Sequence, residues 1–312
     1  MNAVRAFAPA SIGNLAAGFD TLGAALRPLD GSLLGDWVEL REAAGFRFTW
    51  DGPFASQLPS DPVKNLALRA CAAFEHIWGR PLPPLALHLH KGLPVGSGLG
   101  SSSATVVATL RALDLFLQRP LDETRLLRAA GEAEAMASGA VHLDNVAPAL
   151  LGGVRFMDAL GRARALAFPD ALRFAVVLPE LNLLTRDARA VLPEAVPLPL
   201  ALDHARNLAS LVHALHTDDQ ALLRATLRDL VAEPHRARLV PGFRAVQAAA
   251  LDSGALGCTL SGAGPAVFAV AEAARAAPVG AAMARAWELH GVASRVLICE
   301  VDRQGARALE AP

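Results

Sequence analysis

Four glycines and four serines stand in the stretch Gly92-Leu93-Pro94-Val95-Gly96-Ser97-Gly98-Leu99-Gly100-Ser101-Ser102-Ser103-Ala104, between a strand-like run at 85–90 and a helix-like run at 104–117. A chain that leaves a strand, turns through glycines and opens a helix is built to hold an anion. Its backbone approaches closely where no Cβ intervenes, the first helical N–H groups lack partners, and the helix dipole favours negative charge. The serines fall where capping hydroxyls belong. A flexible surface loop would share this composition, but it has no reason to stand between two strongly apolar elements. No Lys-Ser or Lys-Thr follows the last glycine, and no G-x-G-x-x-G with a downstream acid is present. The stretch is therefore neither a Walker A loop nor a dinucleotide fingerprint. Phosphate binding is the chemistry expected of it.

Three further places carry polar groups in apolar surroundings. In the small-residue loop 10–23, Asn14 and Asp20 stand among Leu, Ala, Gly and Phe, where a polar group is costly without a partner. They can cap turns or hold a ligand. Glu134, His142, Asp144 and Asn145 fall within twelve residues, flanked by apolar segments. A second glycine loop, Ser261-Gly262-Ala263-Gly264-Pro265, follows near the end. His88 and His90 alternate with Leu85, Leu87 and Leu89, which places them on the wet face of a strand rather than at a metal. Cys71, Cys258 and Cys299 are widely spaced, sit in apolar runs and form no C-x-x-C pair, so they are expected in the core of a protein from a reducing compartment.

The elements that must position these groups follow from periodicity. Residues 2–9 form a strand. Residues 36–41 and 46–50 form a hairpin turning near 44–45. Asp61-Pro62 starts a helix with Lys64 and Asn65 in its first turn. Helices are expected at 104–117 and 121–136. The second half begins with strands at 155–158 and 172–178, and Thr185-Arg186-Asp187 opens a helical turn. Helices follow at 200–216, 218–232 and 242–252. Strands at 256–260 and 266–270, a helix at 278–290 and a strand at 292–301 complete a split βαβ order. The boundary between a 1–155 and a 156–312 domain falls near residue 155.

With 312 residues, 53% apolar and 19% charged, the chain can bury a large core. A net charge of −1 and the lack of a basic, aromatic-interleaved stripe give no case for nucleic acid. Arginine outnumbers lysine 27 to 2 (the lysines are Lys64 and Lys91), which reflects coding bias rather than function. No signal-like start and no membrane-length apolar run is evident, so a soluble, cytoplasmic protein with no membrane partner is expected.

Three motifs now stand in order: P-A-S-I-G-N-L-A-A-G-F-D at 9–20, P-V-G-S-G-L-G-S-S-S-A at 94–104 and S-G-A-G-P-A at 261–266. Together they resemble the GHMP kinases, and within them homoserine kinase is most similar. The similarity to that branch rests on N-L-A-A-G-F-D, on S-G-x-x-H-x-D-N-V-A-P at 138–148 and on E-P-x-R-x-x-L-V-P-G-F at 233–243. The resemblance implies an α+β two-domain fold, with a left-handed βαβ unit in the N-terminal domain, a ferredoxin-like C-terminal domain and a homodimer. It implies ATP-dependent phosphorylation of the side-chain hydroxyl of L-homoserine, in threonine biosynthesis. By the same resemblance Pro94 to Ala104 hold the nucleotide, with the backbone of Gly96 to Ser103 around the triphosphate and Asn65 at the nucleoside. Ser102 and Glu134 would be Mg²⁺ ligands, Glu132 being the rival acid. Asp20 and His142 would face the ammonium of homoserine, while Arg186 and Arg236 would grip its carboxylate, with Arg238 as rival to Arg236. Asn14, Asp144 and Asn145 would lie by the reacting hydroxyl.

Mevalonate kinase-like members carry an aspartate–lysine pair that can act as base. Here Asn145 follows Asp144 and the N-terminal motif has no lysine, so no strong side-chain base is expected. The rival readings are a mevalonate-pathway alcohol as substrate, or a nucleotide-binding protein without catalysis.

Overall fold

The computed structural model describes residues 3–118, 121–138 and 141–310. Gly139 and Ala140 of the 138–148 motif lie outside them. The first half contributes β1 (Ala3–Pro9), β2 (Ser11–Gly13), β3 (Leu22–Pro28), β4 (Gly35–Glu42), β5 (Arg47–Asp51) and β6 (Leu85–His90). Its helices are α1 (Leu66–Trp78), α2 (Ser101–Phe116), α3 (Glu123–Ser138) and α4 (Val146–Leu151). Then come β7 (Val154–Met157), β8 (Ala163–Leu166), β9 (Leu172–Pro179), β10 (Gly257–Leu260), β11 (Val267–Glu272), β12 (Ser294–Val301) and β13 (Arg307–Leu309). The later helices are α5 (Thr185–Ala190), α6 (Leu198–Thr217), α7 (Gln220–Thr226), α8 (Glu233–Arg236), α9 (Phe243–Asp252) and α10 (Ala273–Glu288).

Two sheets organise the molecule. The first has the order β13-β1-β4-β6-β5. Its inner residues alternate as a half-buried sheet requires: Ala6, Ala8, Val38, Leu40, Leu85, Leu87 and Leu89 are all buried. The expected hairpin does not form. β4 pairs with β6, and β5 pairs in parallel with the far side of β6. The leucine row of β6 needs the interior, whereas β5 exposes Arg47, Thr49 and Asp51 and so suits an edge. With α1 between them, β5 and β6 form a parallel βαβ unit.

The second sheet has eight strands in the order β10-β11-β9-β12-β3-β7-β8, with β2 on β3. Within it β9, β10, β11 and β12 are antiparallel neighbours in the spatial order fourth, first, third, second, with α9 and α10 as the two helices. That is the ferredoxin-like βαββαβ arrangement. Residues 273–277 are helical too, because Ala-Ala-Arg-Ala-Ala favours a helix; α10 therefore starts five residues before the expected proline, and Pro278 lies inside it. The expected 218–232 helix stops at Thr226, and α8 is separate. β3 from the chain's start belongs to this second sheet, while β13 from its end belongs to the first. A division at residue 155 falls within β7.

The three cysteines are buried, and burial pushes the thiols of Cys71 and Cys299 up to about 12, which leaves them inert. No helix among the described residues is long and apolar enough to cross a membrane.

A buried ion pair fixes the glycine stretch at both ends. Asp36 of β4 contacts the Lys91 ammonium, and both side chains are excluded from water. The second carboxylate oxygen of Asp36 accepts the N–H groups of Gly92 (2.9 Å) and Leu93 (3.1 Å). Lys91 also donates to the Ser101 carbonyl and to Thr105 Oγ1, each at 3.0 Å, in the first turns of α2. Burial pushes the Lys91 ammonium down and the facing Asp36 charge opposes that. Removing one charge strands the other, so Lys91→Met is expected to cost about 3–5 kcal/mol of stability. In the Lys91→Met/Asp36→Asn double variant the acceptor for Gly92 and Leu93 survives without the charge. Its loss should be smaller than the sum of the single losses in urea denaturation, and strict additivity would show that the two charges are not coupled.

Candidate active site

Motifs separated by more than a hundred residues meet backbone to backbone. β2 ends at Gly13, where a Cβ would lie 2.3 Å from Asn145 Nδ2 and 2.4 Å from Asp144 Oδ2. Gly98 is left-handed at φ +83°, and a Cβ there would lie 2.5 Å from the Ser261 carbonyl. Across this junction Ser261 Oγ donates to the Gly98 carbonyl (2.6 Å), the Ala266 N–H to Ser97 (3.0 Å) and the Gly262 N–H to Gly13 (3.0 Å). Asn14, at φ +57°, is the clasp. Its N–H donates to Asp144 Oδ2 (3.0 Å), its Nδ2 to the Gly262 carbonyl (2.9 Å), and its Oδ1 accepts the Asp20 N–H (2.9 Å). Both ends of the Asn14 amide are thus spent on holding chain segments together. Asn145 Oδ1 accepts from Ser11 Oγ (2.9 Å), which leaves its Nδ2 as the donor beside Asp144.

α2 starts at Ser101, three residues before the sequence reading, because Gly100 takes the N-cap in a left-handed conformation and Ser101 to Ser103 form the first turn. No side chain caps this end, so the serines are not caps. The hydroxyls of Ser102 and Ser103 instead lie 3.4 Å and 3.3 Å from the carboxylate of Glu134 on α3. Leu99 and Ala104 are buried and anchor the loop, and Ser101 Oγ donates to the Leu93 carbonyl (3.3 Å). Pro94, Val95 and Gly96 form the more open tip, where the Val95 N–H donates to Gln57 Oε1 (2.7 Å). Asn65 does not sit inside a helical first turn: a 3-10 turn at Pro62–Lys64 precedes it, and Asn65 caps α1 through the Ala67 N–H (3.0 Å). Its Nδ2 is a buried donor with no partner among the described residues.

Burial pushes Glu134 up to about 7; the Ser102 and Ser103 hydroxyls pull it back, and the Asp144 charge adds to the rise. Asp144 is raised to about 6, chiefly by burial and then by Asp20. Glu132 points elsewhere, to His76 (2.8 Å) and Arg128 (3.2 Å). A buried carboxylate beside two hydroxyls, at an open helix N-terminus, is an all-oxygen donor set that fits a small hard cation shared with phosphates.

On the other side of Asp144 lies a cluster of opposite charges. Arg189 of α5 donates to both oxygens of Asp20 (2.8 and 3.1 Å) and to His142 Nδ1 (3.0 Å). A guanidinium can only donate, so Nδ1 accepts and the imidazole is neutral. Burial and the Arg189 charge both push His142 down, in agreement. His142 Nε2 is buried without a partner among the described residues. Arg236 is buried over the Phe19 ring and donates to the carbonyls of Ala188 (3.1 Å) and Gly262 (3.0 Å). Its rival Arg238 is exposed.

Arg186 is not brought here. It is exposed and pairs with its neighbour Asp187 at 3.3 Å. Arg189, which the sequence reading passed over, occupies the place. In the structure the buried Ala188 marks the inward face of α5, which the sequence alone does not reveal. At 100° per residue Arg189 borders that face, while Arg186 lies about 200° away from it.

The chain matches known families and solved structures. The model described as "GHMP kinases N terminal domain" matches residues 65–153, and "GHMP kinases C terminal" matches 211–289. The homoserine kinase of Cytophaga hutchinsonii is 34% identical, with a TM-score of 0.92, over 99% of this chain and 98% of that one. A putative homoserine kinase of Listeria monocytogenes is 25% identical, with a TM-score of 0.72, over 99% and 100% of the two chains. The L. major mevalonate kinase, solved with R-mevalonate, shares the fold at 16% identity, with a TM-score of 0.71 over 95% of each chain.

An acid whose folded pKa is raised binds more protons folded than unfolded, so its contribution to stability falls as pH rises. For Glu134 that window runs from the ordinary range near 4.5 to about 7. In EDTA, the stability of the wild type relative to Glu134→Gln should therefore decline between about pH 5 and pH 8. Denaturation midpoints across that range measure it, and a pH-independent difference would refute the assignment.

Proposed function

Because the chain belongs to the GHMP kinase family of ATP-dependent kinases, we propose that it is a homoserine kinase, converting L-homoserine to O-phospho-L-homoserine. The observation that carries this reading is the Asp20–Arg189 pair flanked by neutral His142 and buried Arg236. Opposite charges that neutralise each other are what a zwitterion can divide between its two ends. The ammonium would take Asp20 and His142, and the carboxylate would take the guanidinium forks of Arg189 and Arg236. Mevalonate has a carboxylate but no ammonium, so drawing Arg189 away from Asp20 would leave Asp20 without a counter-ion. The full-length 34% identity to a homoserine kinase supports the same choice.

In this reading Pro94 to Ala104 hold the ATP phosphates, and Asn65 offers its spare amide donor toward the nucleoside. Ser102 and Glu134 would hold Mg²⁺, which supplies charge neutralisation between the phosphates. Asp144 and the Asn145 amide orient the acceptor hydroxyl, while Asn14 holds both in place. Phosphoryl transfer is loose, so positioning and neutralisation carry most of the rate. With Asn145 next to Asp144 and no active-site lysine, the hydroxyl proton leaves late, to a phosphate oxygen. The protein would act in threonine biosynthesis.

ADP release with ATP and Mg²⁺ should be strong with L-homoserine and negligible with mevalonate; the reverse preference would overturn the proposal. Arg189→Ala is expected to lower kcat/KM for homoserine roughly 10- to 100-fold, the worth of hydrogen bonds to a charged group. Arg186→Ala should change it by less than about twofold, as surface substitutions do. Equal losses at both arginines would refute the carboxylate site. Unchanged turnover in Glu134→Gln would sink the metal assignment.

A further inference from the structure

Outside this site a cleft of about 470 Å³ opens between α3, residues 141–143, the end of α4 and the β7–β8 turn. That volume suits a small organic molecule. Leu127, Val141, Leu143 and Leu151 give it an apolar floor, and Arg128, Arg162 and Arg164 form part of its rim. The reaction uses none of these seven side chains.

Its wall is shared with the active site. Along residues 141–144 the side chains alternate: Val141 and Leu143 line the cleft, whereas His142 reaches Arg189 and Asp144 reaches the Asn14 N–H. Val141 and Leu143 also lie against Gly131, where a Cβ would stand 3.1 and 3.4 Å from them. Glu134 follows one turn later on the same helix. The cleft is also lined by Glu123 and Glu132, and its charges are committed unequally. Arg128 is held by Glu132 and Arg164 by Asp158 (2.7 Å). The Arg162 guanidinium has no hydrogen bond or ion pair among the described residues, although Asp158 fixes its backbone N–H at 2.9 Å. Val141, a large apolar side chain, is 56% exposed in the same cleft.

We propose that this cleft is a second ligand site for a small monocarboxylate with a branched apolar body. Its carboxylate would meet Arg162, and its apolar end would cover Val141, Leu143, Leu127 and Leu151. By fixing Val141 and Leu143 it alters the freedom of His142 and Asp144, so cleft and acceptor site are coupled, reciprocally. The cleft is the same whichever alcohol is phosphorylated.

Calorimetry with 4-methylpentanoate tests it. One saturable site is expected, undisplaced by ATP, with the neutral isostere 4-methylpentanamide about two- to fivefold weaker, the worth of an exposed ion pair. Arg162→Ala should bring the acid down to the level of the amide. Ala163→Trp, at a position lining the cleft, should abolish binding of both, while both variants keep the wild-type circular-dichroism spectrum and urea midpoint as proof of folding. Saturating acceptor alcohol should shift the dissociation constant of the acid. No saturable heat up to the solubility of the acid, displacement by ATP, or unchanged binding in Ala163→Trp would overturn the site. A dissociation constant indifferent to the acceptor would overturn the coupling.

Discussion

The active site depends on four chain segments meeting with almost nothing between them. The Gly13, Gly98 and Gly262 backbones lie at hydrogen-bonding distance of one another or of the loop's neighbours, and Asn14 reaches across the same seam. A side chain on Gly13 or Gly98 would overlap atoms that already make these contacts. Everything downstream follows from this closeness. Asp144 can be buried because Asn14 meets it, and Arg236 can be buried because the Gly262 and Ala188 carbonyls receive it. The glycine turn at 92–100 then faces the Asp20–Arg189 cluster without a linker to bend.

The charges near this seam are committed to different degrees. Asp36 and Lys91 are satisfied permanently, and they serve the loop rather than the reaction. Asp20 and Arg189 are about one-third exposed and satisfied by each other, so a ligand with two opposite charges can exchange for that contact. Burial raises Glu134 to about 7 and Asp144 to about 6, so both carboxyls exchange protons near neutral pH rather than standing as fixed charges. Reading outward from the core, fixed charge gives way to exchangeable charge.

The structure sets Glu134 rather than Glu132 beside the serines and buries Arg236 rather than Arg238, the order of preference that the family resemblance implied. Alternation exposed the leucine row of β6 and the wet face of His88 and His90, which the structure ties to Asp51. The parallel placing of β5 was hidden, since adjacency in sequence favours a hairpin and only the competition for the sheet interior reverses it. Arg189 was hidden because a six-residue helix shows too little periodicity to fix its rotation. Lys91 was hidden for another reason: its partners, Asp36 and Thr105, belong to elements whose proximity no local pattern encodes.

The exchange of β3 and β13 between the sheets has a consequence for the nascent chain. β1 is flanked by β4 on one side, but its other edge stays open until residues 307–309 arrive. β3, made early, waits for β12 at residues 299–301. A ribosome therefore releases no finished half. The N-terminal portion must hold its unpaired edges for nearly the whole of synthesis, and truncations near the C-terminus would unseat the N-terminal sheet as much as their own.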